Sequence, residues 1–282
     1  MPRPPRFTVL GASGFIGRAL CLNLVTGPDA TVWAPDRAEL GGILAEPDTQ
    51  ELGHVFYCIG LTADFRTRPF DTVEAHVCLL RQILHSGRFD SLTYLSSTRV
   101  YEGSADTGET AVLAASPADP SHLYNLSKLM GEALCHAAGP RAKVVRLSNV
   151  FGDAMPARNF LSQLMTEAAG TGSVHFLTAP NSAKDFVSLR DVARWLPEIA
   201  LRGAHPLYNI ASGYNVSNAE LAALFEREGV TARFAPNAPT WTFPEIDTRR
   251  LRAEFGLAQH SLQAEFGSLL AGFAAQAGSR SE

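Results

Sequence analysis

Short apolar runs alternate with longer amphipathic segments through the first half of the chain. The runs FTVLG, ATVWA, HVFYCIG and SLTYLSS are typical of buried strands, because each is brief and rich in β-branched or aromatic residues. Between them, FIGRALCLNLV and VEAHVCLLRQILHSG repeat apolar residues at the spacing of one helix face. Strands that alternate with helices predict an α/β fold, a doubly wound parallel sheet with helices on both faces.

The alternation continues to about residue 150 and then becomes less regular. HLYNLSKLMGEALCHAAG and NFLSQLMTEAAGTG predict helices, and AKVVRLSNVFG between them predicts one strand. Later segments are VHFL, DFVSL, DVARWLPEIALR, PLYNIAS, VSNAELAALFEREG and SLQAEFGSLLAGFAAQ, and Ser217 with Glu220 forms a capping box that starts the second-last helix. We therefore expect residues 1–150 to form one domain, to which 186–210 return, and 151–282 to form mainly a smaller carboxy-terminal lobe.

The stretch GASGFIG, residues 11–17, lies between the first predicted strand and the first predicted helix. This is the context of a Rossmann-like dinucleotide fingerprint: the first glycine permits a tight turn, the second lets the backbone approach a pyrophosphate, and the third lets the helix pack on the strand. The helix amino terminus also favours the phosphate charge. We expect the dinucleotide to contact Gly11, Ser13, Gly14, Phe15, Ile16 and Gly17. A glycine turn that only joins a strand to a helix is the alternative.

Asp36 follows the second predicted strand, and Arg37 follows Asp36. A carboxylate in this place accepts hydrogen bonds from the adenosine ribose hydroxyls and disfavours a 2′-phosphate. The sequence therefore predicts NAD as the cofactor. NADP remains open, because Arg37 beside the ribose is able to bind that phosphate, and a solvated Asp-Arg turn is the third interpretation.

Composition excludes several classes of function. A formal net charge of −4 and a pI of about 6.1 give no basic field for nucleic acid. No segment holds the roughly 18 uncharged apolar residues of a membrane span, so we expect neither a nucleic acid nor a membrane partner. The four cysteines are scattered and the histidines show no metal-ligand spacing. This predicts reduced thiols in the cytoplasm, histidines with core or surface roles, and no metal site.

Polar residues with catalytic potential follow the fourth predicted strand. SLTYLSSTRVY has hydroxyl residues near its end, and hydroxyls at the carboxyl end of a parallel strand lie in the crevice where ligands bind. YNLSK comes next, and only three of the 24 basic residues of the chain are lysines. On a helix, Tyr124 and Lys128 share one face, so the ammonium lies near the phenol and favours its ionised form.

The order GASGFIG, LSSTRVY and YNLSK resembles that of the extended short-chain dehydrogenase/reductase family, the NAD-dependent epimerase/dehydratase group. RLSNVFG, KDFVSLRDVA and YNIASG extend the resemblance through most of the chain. It implies an enzyme in which Ser97 holds the substrate oxygen, Tyr124 transfers a proton, and Lys128 serves both the phenol and the nicotinamide ribose. It also implies cofactor contacts from Asp36, Arg37, Gly60, Tyr124 and Lys128 besides the glycine turn, and substrate contacts from Ser97, Thr98, Asn149 and Lys184.

The family mostly acts on nucleotide sugars, so the resemblance implies an NAD(P)-dependent oxidoreductase or epimerase for a nucleotide sugar or a related activated sugar. It also implies a homodimer, with the dinucleotide bound by residues 1–150 and the substrate mainly by 151–282. Dehydratases of the family carry an Asp-Glu pair after the catalytic hydroxyl, whereas Thr98 and Arg99 follow Ser97 here. Neither side chain supplies that base or acid. We therefore expect an epimerase or a ketoreductase and not a 4,6-dehydratase.

The chain departs from the family pattern at several places. His76 occupies the position of an asparagine, Lys184 that of an arginine, and NAPTWTFPEIDTRRLRAEFGL lacks an evident RPGD-like segment. Only 17 residues separate Asp36 from His54, too few for the usual helix, strand and loops, so we expect an irregular adenine side. Two alternatives stay open: a ketoreductase for a non-sugar natural-product intermediate, and a protein that senses NAD(P) without turnover. The complete set of catalytic residues disfavours the sensor.

Overall fold

The computed structural model describes residues 4–26, 30–46, 50–62, 64–86 and 88–278. Its strands are β1 Arg6–Leu10, β2 Thr31–Trp33, β3 His54–Tyr57, β4 Ser91–Ser97, β5 Ala142–Leu147, β6 Asn149–Phe151, β7 Ser173–Phe176, β8 Ala183–Ser188, β9 Leu207–Ile210, β10 Asn215–Ser217 and β11 Thr231–Phe234. Within these ranges, six strands form a parallel sheet in the order β2-β1-β3-β4-β5-β9. The predicted doubly wound parallel sheet is therefore confirmed.

The helices are α1 Phe15–Val25, α2 Arg37–Ala45, α3 Pro69–Val73, α4 Leu79–Ser86, α5 Leu123–Ala137, α6 Phe160–Thr171, α7 Leu189–Arg202, α8 Asn218–Arg227, α9 Arg249–Phe255 and α10 Leu262–Gly278. The α8 helix begins at the predicted capping box: the Glu220 N–H donates to Ser217 Oγ at 3.2 Å, and the Ser217 N–H donates to Glu220 Oε2 at 2.7 Å. None of the described helices is long and apolar enough to cross a membrane.

Apolar side chains pack on both faces of the main sheet. Val9 and Leu10 are consecutive in β1 and therefore point to opposite faces. Val9 packs in a cluster with Leu20 of α1 and Trp195 of α7, and Leu10 packs in a second cluster with Leu80 of α4. Each fully buried aliphatic side chain stabilises the fold by about 1.5–3 kcal/mol. These clusters hold the helices on the sheet and so fix the turns at its carboxyl edge.

A separate core lies in the carboxy-terminal part of the chain. The strands β10, β8 and β6 form a three-stranded sheet, and β11 pairs with β7. Met165 of α6, Phe225 of α8 and Phe266 of α10 pack in one cluster, and the rings of Phe225 and Phe266 meet edge to face at 4.8 Å. Phe15, the first residue of α1, packs against this cluster and against the cluster that contains Val9. The second core is therefore joined to the main sheet beside the glycine turn.

The expectation of a single strand over AKVVRLSNVFG is wrong. The segment divides at Ser148 into β5 of the main sheet and β6 of the three-stranded sheet. The Ser148 N–H donates to the Ile210 carbonyl at 3.0 Å, while its hydroxyl donates to Asp185 Oδ1 at 2.5 Å. Because these two bonds tie Ser148 to different sheets, the chain passes from one to the other at this residue.

The helix predicted over VEAHVCLLRQILHSG is interrupted. It starts earlier, with α3 at Pro69, and a π-helical turn, Glu74–Cys78, joins α3 to α4. The short segment between Asp36 and His54 holds the nine-residue helix α2 among its described residues. The strands β10 and β11 and the helix α9 lie in segments to which the apolar pattern assigned no element of their own.

Candidate active site

The first βα turn adopts a shape that only glycine permits. Gly11 has a φ of +83°, and a Cβ there would lie 3.0 Å from the carbonyl carbon of Cys58. A Cβ on Gly17 would collide with the carbonyl oxygen of Gly11, so α1 packs directly on the turn. Gly14 caps α1 without a side-chain hydrogen bond, and the first turn of the helix has no acidic residue. The backbone N–H groups of that turn are therefore suited to an anion.

The other residues of the turn differ in exposure. Ser13 is exposed, whereas Phe15 and Ile16 are half-buried and pack against the core. Their side chains thus serve the fold, and it is their backbone that lies at the helix amino terminus. A phosphate bound there would be recognised mainly by backbone N–H groups and by Ser13.

Asp36 forms the N-cap of α2. Its Oδ1 accepts hydrogen bonds from the N–H groups of Ala38 and Glu39, both at 2.8 Å, and the Asp36 N–H donates to Glu39 Oε2 at 2.8 Å. Asp36 and the adjacent Arg37 are both exposed. The carboxylate therefore has a structural role, and Oδ2 is the oxygen that these bonds leave for a ribose hydroxyl.

Ser97, Tyr124 and Lys128 come together at the carboxyl end of the main sheet. Ser97 is the last residue of β4, and Tyr124 and Lys128 lie one turn apart on α5. The Lys128 Nζ atom is 5.9 Å from the centroid of the Tyr124 ring and donates a hydrogen bond to the Leu95 carbonyl at 2.8 Å. Tyr124 is 5% exposed and Lys128 is 4% exposed. Both polar groups are thus shielded from bulk water.

The phenol of Tyr124 is held in its protonated form, contrary to the expectation that Lys128 favours its ionised form. Burial raises its pKa above the ordinary value, while hydrogen bonds from the hydroxyls of Ser97 and Thr62, and the charge of Arg99, lower it by less. At neutral pH the phenol is consequently a proton donor in this structure. Thr62, in the loop after β3, was not singled out by the sequence.

Lys128 titrates near neutral pH. Burial lowers its pKa to about 7, and the Glu132 carboxylate and the Cys58 thiol raise it by less. Glu132 is itself engaged by Arg146, whose Nη2 lies 2.6 Å from Glu132 Oε2, and by the Ser96 hydroxyl at 2.5 Å. A lysine whose pKa is close to the working pH is able to gain and lose a proton during turnover.

The buried Glu132–Arg146 ion pair holds α5 on the sheet. Arg146 belongs to β5, and its Nη1 also donates to the Tyr101 hydroxyl oxygen at 2.7 Å. The Tyr101 hydroxyl in turn donates to Asn209 Oδ1 of β9 at 2.9 Å. Loss of one partner would leave a buried charge without compensation, which typically costs about 3–5 kcal/mol. The network therefore fixes the helix that carries Tyr124 and Lys128.

His76 lies at the centre of the site. Its Nε2 accepts a hydrogen bond from the Leu61 N–H at 3.2 Å, and its Nδ1 is 2.8 Å from the Ser127 hydroxyl oxygen. The Ser127 hydroxyl donates to the Tyr124 carbonyl at 2.8 Å, so Nδ1 must carry the proton and donate to Ser127. Burial and the charge of Lys128 lower the pKa of His76 to about 2. The imidazole is thus neutral, with one tautomer selected by its neighbours.

Gly60 leaves the space that His76 and Lys128 occupy. A Cβ on Gly60 would lie 3.1 Å from His76 Nε2 and 3.5 Å from Lys128 Nζ. His76 is part of the π-helical turn, whose carbonyls at Ala75 and His76 accept hydrogen bonds from Tyr57 at 2.6 Å and Tyr94 at 3.3 Å. Such turns occur frequently at functional sites, because they re-aim a side chain within a helix.

Two further side chains that the sequence did not assign to the site border Tyr124. The ring of Phe65 is 5.5 Å from the Tyr124 ring, centroid to centroid, and Arg99 Cζ is 5.9 Å from the Tyr124 centroid. From the sequence, we used Arg99 only to exclude dehydration. Its place two residues after Ser97, at the carboxyl end of a parallel strand, was a signal that it faces the ligand crevice.

Two of the predicted substrate residues make contacts within the fold. Thr98 is buried, and its hydroxyl donates to the Leu147 carbonyl at 3.3 Å. Asn149 is exposed at the start of β6, where its Nδ2 donates to the Asp185 carbonyl at 2.8 Å. The Thr98 hydroxyl thus has a structural partner, and Asn149 lies on the three-stranded sheet with its amide bonded to β8.

Lys184 lies on β8, next to the strand of Asn149. Its Nζ is 3.8 Å from the centroid of Phe160 and 5.0 Å from the centroid of Trp241. Burial lowers its pKa to about 8. The ammonium is held by aromatic faces, which attract a cation without neutralising it and leave its charge available to an anion.

A model of the NAD dependent epimerase/dehydratase family matches residues 7–211, well over half of this chain. Among solved structures, the NAD-dependent NDP-hexosamine 5,6-dehydratase TunA, involved in tunicamycin biosynthesis, has a TM-score of 0.81 at 18% identity and covers 96% of this chain and 98% of its own. A mutant UDP-glucuronic acid 4-epimerase from Bacillus cereus, in complex with UDP-4-deoxy-4-fluoro-glucuronic acid and NAD, has a TM-score of 0.79 at 17% identity, with 96% and 99% covered.

RMD from Pseudomonas aeruginosa, complexed with NADPH, has a TM-score of 0.80 at 20% identity, with 96% of this chain and 99% of its own covered. Comparison with curated protein sequences gives no significant match. At these identities the structural likeness establishes the fold and not the reaction.

Proposed function

Because the chain belongs to the NAD-dependent epimerase/dehydratase family, we propose that it catalyses an NAD(P)-dependent epimerisation or ketone reduction of a nucleotide sugar or a related activated sugar. The family membership predicted from the sequence motifs is confirmed, and with it an enzyme of the short-chain dehydrogenase/reductase type. The observation that carries the proposed reaction is the convergence of Ser97, Tyr124 and Lys128 at the carboxyl end of the sheet.

The glycine turn fits a nicotinamide dinucleotide, because α1 begins at Gly14 without a side-chain cap or an acidic residue in its first turn and so leaves backbone N–H groups for a pyrophosphate. We place the pyrophosphate at Gly14 and the adjacent backbone N–H groups. The nicotinamide, when bound, supplies the hydride acceptor or donor. Asp36 favours NAD through its Oδ2, and the exposed Arg37 keeps NADP open.

Tyr124 exchanges a proton with the oxygen of the reacting carbon. Its raised pKa keeps the phenol protonated at neutral pH, so the phenol carries the proton that a ketone oxygen takes up during reduction. In the oxidative direction the phenol oxygen takes the proton, and the hydrogen bond from Ser97 and the charge of Arg99 support the phenolate. Ser97 aligns the substrate oxygen, and Lys128 holds the nicotinamide ribose and exchanges a proton near pH 7.

The substrate lies, in this proposal, between two parts of the chain. Residues 1–150, with 186–210 returning to them, bind the dinucleotide, and 151–282 form most of the substrate lobe. Asn149 and Lys184 lie on the neighbouring strands β6 and β8, and the amide and the ammonium suit the diphosphate of a nucleotide sugar. Thr98 follows Ser97 directly, but its buried hydroxyl donates to the Leu147 carbonyl, so we assign it no substrate contact.

We assign epimerisation or reduction rather than 4,6-dehydration. Dehydration needs an additional base and acid beside the sugar. Thr98 donates its hydroxyl to the Leu147 carbonyl, and Arg99 remains a cation. The carboxylate nearest to them in sequence, Glu102, forms an ion pair with Arg99 at 3.4 Å. The likeness to TunA keeps dehydration as the outcome that a product analysis must exclude.

A second candidate is the reduction of a non-sugar ketone. It is favoured by Phe160 and Trp241, which place aromatic surface around Lys184. Trp241 is 41% exposed and so is available to an apolar substrate.

We further propose a cytoplasmic homodimer. The four cysteines are free thiols, which suits a reducing compartment. Sedimentation at micromolar concentration tests this assembly: a dimer supports it and a monomer contradicts it.

Thermal unfolding with a ligand panel tests the proposed binding function. NAD at 100 times its Kd should stabilise the protein by about 2.7 kcal/mol, because it binds only the folded state. In the presence of NAD, at least one of UDP, dTDP, GDP and CDP should raise the midpoint further. Absence of any shift with both NAD and NADP contradicts the proposal, and a shift with the dinucleotide but no nucleoside diphosphate favours the non-sugar ketone.

A further inference from the structure

Two arginine side chains flank the ring of Phe65 beside Tyr124. Arg66 Cζ lies 4.5 Å and Arg99 Cζ lies 5.2 Å from the Phe65 centroid. The Phe65 ring is buried and lies 5.5 Å from the Tyr124 ring, and Arg99 also approaches the Tyr124 ring to 5.9 Å. Two positive charges thus lie against Phe65, and that of Arg99 also borders the phenol that exchanges a proton with the substrate.

The charge of this arginine pair, Arg66 and Arg99, is only partly compensated. Arg99 Nε is 3.4 Å from Glu102 Oε2, yet neither buried atom has a hydrogen-bond partner among the described residues. No described carboxylate lies within ion-pairing distance of the exposed Arg66, although its charge reaches Asp119. The pair therefore retains N–H donors for an anion.

Resting on the proposed function, we propose that the arginine pair binds an acidic group on the sugar itself, the carboxylate of a nucleoside-diphosphate hexuronate. Arg99 is two residues beyond Ser97, so a sugar whose reacting oxygen lies at Ser97 and Tyr124 has its neighbouring substituents close to Arg99. A guanidinium matches a carboxylate with two parallel hydrogen bonds. A neutral hydroxymethyl group leaves the charge of the arginine pair unmatched, and the site disfavours it.

The diphosphate of the same ligand offers the same anionic chemistry, and a titration series separates the two sources. Calorimetry on the NAD-bound Tyr124→Phe variant, in which the sugars stay intact, compares UDP, UDP-glucose and UDP-glucuronate. We expect UDP-glucuronate to bind at least about tenfold more tightly than UDP-glucose, since hydrogen bonds to charged groups contribute a factor of this order. In the Tyr124→Phe background, Arg99→Gln should remove most of this preference and Arg66→Gln part of it. Arg99→Lys should reduce the preference by less than Arg99→Gln does.

Arg68→Gln is the matched control, because Arg68 is on the same loop as Arg66 but forms an exposed ion pair with Asp71. It should leave the preference unchanged. Equal affinity for UDP-glucuronate and UDP-glucose overturns this inference alone. An equal loss of affinity for UDP and UDP-glucuronate in Arg99→Gln also overturns it, because Arg99 would then bind the diphosphate. If no UDP ligand binds, and a panel of dTDP, GDP and CDP sugars does not bind either, the proposed function fails together with the inference.

Discussion

The ring of His76 lies edge-on against the ring of Tyr124, with centroids 5.4 Å apart and planes at 83°. The imidazole is fully buried and bonds the loop after β3 through the Leu61 N–H and helix α5 through Ser127. His76 therefore connects the loop of Gly60 to the helix of Tyr124 and Lys128. A neutral imidazole performs this role, because a second ring proton would face the Leu61 N–H.

His76 makes the free energy of unfolding decrease as the solution becomes acidic. Its folded pKa, about 2, lies below the ordinary 6.5, so below pH 6.5 the unfolded chain binds a proton that the folded protein excludes. Wild-type stability should fall from pH 6.5 to 4.5 by about 1 kcal/mol per pH unit through this group alone. Urea unfolding of His76→Asn should show a shallower dependence. His136→Asn, on an exposed side chain, serves as control, and equal slopes in all three proteins contradict the assignment.

Gly17 is the glycine of the first βα turn at which an added Cβ meets the closest contact. A Cβ there collides with the Gly11 carbonyl oxygen, so Gly17→Ala must move α1 away from the turn. We expect loss of NAD binding by at least about tenfold and a destabilisation of about 1–3 kcal/mol. At Gly170 in α6, an added methyl group would have no atom within 4 Å, so Gly170→Ala should be neutral or stabilising by up to about 1 kcal/mol. Calorimetric NAD titration and urea unfolding of both variants measure these effects.

Asp36 combines a helix cap with the proposed preference for NAD, and two variants separate these roles. Asp36→Asn keeps a good cap but loses the charge, whereas Asp36→Ala loses both. In both variants the affinity for NADP should approach the affinity for NAD. Only Asp36→Ala should be destabilised, by about 1 kcal/mol. Equilibrium titration with each dinucleotide tests the preference. Wild-type protein that binds NADP tenfold more tightly than NAD, or more, shows that Asp36 does not select the cofactor.

Tyr124 and Lys128 should respond differently to substitution. Tyr124→Phe removes only the proton-transferring hydroxyl, so kcat should fall by about 100-fold or more while NAD affinity changes by less than about threefold. Lys128→Met should weaken both turnover and NAD binding, because its ammonium serves the phenol and the ribose. Steady-state rates beside NAD titrations distinguish the two patterns. Wild-type turnover in Tyr124→Phe excludes the proposed mechanism.

Lys128 also has a signature in alkaline stability. Its folded pKa of about 7 lies below the ordinary 10.5, so the unfolded chain binds more protons between these values and wild-type stability rises with pH in that window. Lys128→Met should lack this rise in urea unfolding measured across the same pH range.

The strands of the main sheet were predictable because buried parallel strands are continuous apolar runs bounded by turns. The break at Ser148 was not, since RLSNVF reads as one such run. Its cause is Asp185, which is 37 positions away along the chain. Local patterns contain no information about such a partner.

The candidate site shows the same limit. The approach of Tyr124 to Lys128 follows from helix spacing. The place of Ser97 in the site follows from its position at the end of a strand. His76 and Arg99 owe their places to a π-helical turn and to the ring of Phe65. Neither feature has a signal in periodicity or charge. The residue pattern assigned His76 to the core or the surface, and the family resemblance marked it only as a replacement of an asparagine, whereas the place of Arg99 after Ser97 did point to the crevice.

Product analysis tests the proposed reaction most directly. The protein is incubated with NAD or NADPH and with UDP-, dTDP-, GDP- and CDP-hexoses and UDP-glucuronate, with Tyr124→Phe as the inactive control. Mass spectrometry and NMR should find an epimer of unchanged mass, or a reduced product when a keto sugar is supplied. Loss of one water to give a 4-keto-6-deoxy sugar contradicts the assignment of Thr98 and Arg99, and absence of any conversion that depends on Tyr124 contradicts the proposed function.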